Sequence, residues 1–144
     1  MRQIIIALLF CRAFSTYATE MVREQGYEVQ VQPFPSTFLT QDVASIYGFE
    51  RSRRQALINV VVLKIQPDGQ ARGAVAASIT GFSKNLLGQT QTLTFREIDE
   101  GDDAIYYLAP VRVSNEEEIQ IALEVIPVNA REIDINFRHR VYVD

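Results

Sequence analysis

Polar and apolar residues alternate along most of the chain from residue 27 onward, with one clear interruption. In YEVQVQ, residues 27–32, Tyr27, Val29 and Val31 share one face and Glu28, Gln30 and Gln32 the other, the period of a half-buried strand. ALINVVVLKI, 56–65, is apolar and β-branched on both faces, which predicts a central strand covered on both sides. PDGQ, 67–70, is a turn: proline presets one dihedral, aspartate bonds the backbone and glycine takes a left-handed position. Further strands are predicted over about 72–82, about 91–98, 104–111 with Pro110 marking an edge or bulge, 118–125, and from Ile133 through Val143. Seven short strands at near-regular spacing predict an all-β antiparallel sandwich, immunoglobulin-like, with a small barrel as the rival arrangement.

The interruption is FLTQDVASIYGFERSRR, 38–54. Thr40 suits an N-cap, Asp42 suits the positive end of a helix, and Gly48 stands where a left-handed C-terminal cap belongs. Gln41 to Tyr47 is therefore predicted as a two-turn helix between the first two strands, with Val43, Ile46 and Tyr47 on one face. So short a helix does not stand alone. It is expected to lay that stripe on the sandwich and close one open end of the core. If every connection reverses the strand direction, the connections at 33–55, 83–90 and 112–117 share an end. That end would gather the helix, the arginines behind it, SKNLLGQ and SNEEE, with PDGQ, DEGDD and VNAR at the other.

Composition narrows the classes. The 144 residues suffice for one domain with its own core. Residues 1–18 read as an export signal: Arg2, an apolar run from Ile4 to Phe10, and a small-residue cleavage site after Ala18. The run is too short for a transmembrane helix. The remaining domain, 19–144, carries 12 basic and 18 acidic residues, a net charge of −6 against −4 for the whole chain, and no cysteine. That balance argues against nucleic acid and against anionic membranes, and the missing thiol removes disulfides and thiol chemistry.

Few residues carry candidate chemistry. Arg51, Arg53 and Arg54 form the densest positive spot, fit either for clamping carboxylates or for a solvated turn balanced by Glu50, Glu116, Glu117 and Glu118. Leu86 and Leu87 stand together in a loop, as a partner-binding tip or as a cap on the core. Asp99, Glu100, Asp102 and Asp103 match no EF-hand spacing and are explained by a tight turn at Gly101. His139 is the only histidine, and its parity places it on the inward face of the last strand. One histidine without cysteine partners cannot build a zinc site, and no serine sits in a nucleophile-elbow pattern. No catalytic residue, metal site or cofactor is therefore expected.

STFLTQDVASIYGFERSRRQALINVVVLK, NLLGQTQTLTFREI, GDDAIYYLAPVRVSNEE and the closing YVD resemble domain-of-unknown-function family 4426, small exported proteins of gamma-proteobacteria. The resemblance covers nearly all of the chain after the signal. It implies a periplasmic β-sandwich and supplies no catalytic or binding residues. The expectation is a periplasmic, non-enzymatic module that engages a protein or peptide through the helix end. A carrier of a small apolar ligand between the sheets is the alternative.

Overall fold

The computed structural model describes residues 19–101 and 104–143, so the expected export signal lies outside the described residues. The strands are β1 (Glu20–Glu24), β2 (Tyr27–Pro35), β3 (Gln55–Ile65), β4 (Ala71–Ala74), β5 (Ala77–Asn85), β6 (Thr90–Leu93), β7 (Arg96–Asp99), β8 (Ile105–Arg112), β9 (Glu118–Pro127) and β10 (Ile133–Arg140). Between β2 and β3 come a 3-10 turn, Ser36–Phe38, and the helix α1, Gln41–Tyr47. The larger antiparallel sheet runs β1-β2-β3-β8-β7 with β4 also on β3; the smaller runs β10-β9-β5-β6. Two separate sheets, rather than a closed barrel, stack through alternating residues such as Val31, Ile58, Val60, Ile121, Leu123 and Ile135, all buried in one cluster. Each such side chain contributes about 1.5–3 kcal/mol through burial.

Among the described residues ten strands stand where seven were expected, for two reasons. β1 is an added edge strand, joined to β2 through Gln25 and Gly26, both at positive φ (57° and 82°), the geometry of a two-residue hairpin turn. The stretches expected as single strands at 72–82 and 91–98 each divide between the sheets: β4 lies on β3 but β5 on β9, and β6 lies on β5 but β7 on β8. Breaks at Val75–Ala76 and Thr94–Phe95 let the chain change sheets. Val75, Ala77 and Ile79 go on facing the main core through the first, whereas at the second the buried position shifts from Leu93 and Phe95 on the main core to Ile98 on the other face. Tyr107 ties both crossings together. Its hydroxyl accepts from the Ala77 N–H (2.9 Å) at the start of β5 and donates to the Glu97 carboxylate (2.7 Å) on β7. Burial, with the neighbouring carboxylates, pushes this phenol up to about 12.

The helix is also placed differently from expectation. Thr40 caps it by accepting from the Val43 N–H, and Gly48 ends it at φ 74°. It does not close the end of the sandwich. It lies on the outer face of the larger sheet, where Leu39, Val43, Ala44 and Phe49 build a second core with Phe34, Leu57, Val61, Ile98, Tyr106 and Leu108. The buried stripe is Val43 and Ala44 with half-buried Tyr47, while Ile46 is 48% exposed. β3 can bury both faces because this third layer covers its outward residues. The Arg96 guanidinium fastens the helix end, donating to the Tyr47 carbonyl and lying 5.1 Å from the Phe49 ring centre.

Candidate functional site

The ends of this excursion are pinned at the rim. The Ser36 hydroxyl donates to the Ser52 carbonyl (2.8 Å) and accepts from the Ser52 N–H (2.9 Å), and the Val113 N–H donates to the Arg54 carbonyl (2.8 Å). Arg54 is thereby held beside the end of β8. On the other sheet the Gln91 side chain clamps the Arg112 backbone, donating to its carbonyl (2.7 Å) and accepting from its N–H (2.8 Å). Between them opens a cleft of about 480 Å³ lined by Arg54, Asn85, Gln89, Thr90, Gln91, Arg112, Val113, Ser114 and Glu117. Neither guanidinium in it makes a hydrogen bond or ion pair with a described residue; the ion pairs among the described residues are Arg23–Glu28 and Arg72–Asp68.

One wall is the β5–β6 hairpin. The Asn85 Oδ1 accepts from the N–H groups of Leu87 and Gln89, and Gly88 supplies the left-handed turn at φ 83°. This rigid tip presents Leu86 and Leu87 to water at 75% and 85% exposure, so neither folds back to cap the core. Leu86 also borders a smaller cavity of about 220 Å³ with Lys84, Glu118, Gln120 and Arg138.

Of the arginine triplet only Arg54 lines the cleft. Arg51 donates to the Thr37 carbonyl (3.2 Å) on the excursion, and Arg53 is exposed on the turn. The cleft's second guanidinium, Arg112, went unrecognised in the sequence. It ends a strand with no neighbouring charge run, and only the β3–β8 pairing, which sets Gln55 opposite it, brings it to Arg54. The one available signal was parity, which turns Arg112 away from the core on the strand carrying Val111.

His139 is half-buried on β10 opposite Ile119, and burial lowers its pKa by disfavouring the charged imidazolium. Asp99 accepts from the Gly101 N–H (2.9 Å), forming the turn expected there; Asp102 and Asp103 lie outside the described residues. Among the described residues no group of three or more His, Cys, Asp or Glu is placed to hold a metal ion, and no helix is long and apolar enough to cross a membrane.

At the opposite end, hydrogen bonding with the nearby Glu124 carboxyl, desolvation and the charges of Asp134 and Glu124 raise the pKa of Glu132 to about 7. A carboxyl whose folded pKa is raised stabilises the fold below its ordinary value near 4.5, and that contribution is lost as pH rises through about 7. His139, lowered in the fold, acts in the opposite sense. Between pH 5 and pH 8 the urea midpoint of the wild type is expected to carry a downward component that Glu132→Gln abolishes. An unchanged midpoint difference in the variant contradicts the assignment.

Residues 21–144 match the domain-of-unknown-function family DUF4426. The chain belongs to the DUF4426 family. A crystal structure of a DUF4426 family protein from Pseudomonas aeruginosa is similar at 30% identity and a TM-score of 0.74, covering 88% of this chain and 96% of that one. Two structures of FetP from uropathogenic Escherichia coli share the fold at lower identity. A copper-bound variant of FetP is 12% identical with a TM-score of 0.61, covering 88% of this chain and 96% of that one. FetP as isolated, recombinantly expressed in the periplasm of E. coli, is 10% identical with a TM-score of 0.59, covering 88% and 95%. No curated protein matches the sequence.

Proposed function

We propose that this DUF4426 protein is a non-enzymatic binding module of the periplasm whose rim cleft takes an extended peptide or protein segment bearing a carboxylate. One observation carries the reading: the guanidinium groups of Arg54 and Arg112 line a single cleft without a hydrogen bond or ion pair to a described residue, beside a hairpin that exposes two leucines. Guanidinium groups recognise carboxylates through paired hydrogen bonds, and exposed leucines next to them offer apolar anchorage. The periplasmic location rests on the export signal read at residues 1–18 and on the shared fold with FetP expressed in that compartment. The non-enzymatic reading draws on His139, half-buried and without a side-chain hydrogen bond to any described residue.

A carrier of a small apolar ligand needs several hundred Å³ between the sheets. The inner residues Val31, Ile58, Val60, Ile121 and Leu123 form one cluster there, which favours the first reading. Panning a displayed random-peptide library on the purified protein is expected to enrich acidic-apolar sequences. Synthetic versions should bind at least about tenfold more weakly to the Arg54→Glu, Arg112→Glu double variant, since a charge-assisted bond is worth about 1.5–3 kcal/mol. Enrichment without carboxylates, or affinity indifferent to the double variant, counts against the cleft.

A further inference from the structure

The outer face of the smaller sheet is its uncovered side, and the strand register fixes the order of side chains across it. One row contains Asp134, Glu124 and Thr80; the next Asn136, Ala122, Phe82 and Thr92; the next Arg138, Gln120, Lys84 and Thr90. Glu132 lies just beyond the first of these rows, and beyond the last Arg140 stands in register with Glu118, its guanidinium donating to the Glu116 carbonyl (2.8 Å). Phe82, 44% exposed, therefore stands between an acidic half and a basic half of the same face.

An isologous interface requires a patch that complements itself under a two-fold rotation. An axis running along the Phe82–Ala122–Asn136 row meets that requirement. It leaves each strand over its own copy and inverts the row order. Arg138 then falls over the other copy's Asp134, Arg140 over its Glu132, and Gln120 over its Glu124, while the two Phe82 rings meet at the axis. Stacked sheets keep their strands within about 30° of one another, so these pairings survive ordinary twist. From this arrangement we propose that the face is a docking surface for a second copy of this chain, held by cross-interface charge pairs around Phe82. At normal strand spacing it covers on the order of 600 Å² per copy, short of the roughly 800 Å² per partner of a standard stable interface. The association is accordingly weak and salt-sensitive, and it does not involve the cleft's two arginines.

Sedimentation equilibrium on the full protein tests it. In 20 mM salt (about a 20 Å screening length) a dimer in the micromolar range is expected, weakening at least tenfold in about 0.5 M salt. Arg138→Glu with Arg140→Glu, and separately Glu132→Arg with Asp134→Arg, should each weaken self-association at least tenfold. Mixing the two variants should restore a heterodimer. Circular dichroism checks their folds, and Phe82→Lys, which places two like charges on the axis, should abolish the dimer should either charge variant misfold. A monomer at all accessible concentrations in low salt, a dimer indifferent to these substitutions, or a mixture that fails to pair overturns the proposal.

Discussion

Gly81→Ala is expected to destabilise the protein by about 3 kcal/mol, lowering the thermal midpoint by roughly 10 °C in a domain of this size. Gly81 sits mid-strand in β5, paired with Leu123 of β9 on one side and Leu93 of β6 on the other. A Cβ there would lie 2.7 Å from Leu123 Cδ2 and 3.1 Å from Leu123 Cα, and closer still to the Ala122 carbonyl oxygen. A leucine tip can rotate away; a carbonyl in a β ladder cannot move without disturbing the pairing of β5 with β9. The glycine is therefore required by the close approach of two backbones, at a site where its φ is not positive. Thr80→Ala, one residue earlier on the exposed face, should change stability by no more than about 0.5 kcal/mol. Equal midpoints for Gly81→Ala and the wild type would show that the two strands are not so closely apposed.

The second large effect concerns the helix. Val43→Asp should cost about 3 kcal/mol or more, because it places a carboxylate in a buried apolar layer with no partner to compensate it. Ile46→Asp, in the same helix, should stay within about 0.5 kcal/mol, since Ile46 already faces water. Denaturant titration of both variants separates a helix lying on the outer face of the larger sheet from one plugging the end of the core. In the latter case Ile46 is buried and the two substitutions cost similar amounts.

Much of the fold follows from local chemistry. Strand positions were legible because period-two alternation and the turn residues at 67–70 are properties of consecutive residues. The helix bounds were legible because Thr40 and Gly48 cap it through contacts no farther than four or five residues away. β1 was within reach by the same logic, since Gln25–Gly26 between short runs is a two-residue hairpin signal. The tip bearing Leu86 and Leu87 was recognised as a loop, but its full exposure depends on the Asn85 contacts that stiffen it.

Other features depended on what each segment packs against. The crossing at Val75–Ala76 leaves no mark in the alternation, because Val75, Ala77 and Ile79 keep one parity against the main core. At the second crossing the parity shifts from Leu93 and Phe95 to Ile98, and only the layer that covers Ile98 gives that shift its meaning. In a seven-residue helix, Val43 and Tyr47 are compatible with a stripe through Ile46 or one through Ala44, and only the surface beneath decides between them. The pairing of Arg54 with Arg112, 58 residues apart in sequence, was settled by the β3–β8 register and the Gln91 clamp. Thus the sequence by itself determined where strands, turns and helix lie, because short-range sterics and capping hydrogen bonds choose them. Only the tertiary structure decided which sheet each strand joins, which helix face is dry and which arginines share a cleft, because those choices are made by contacts between residues far apart in the chain.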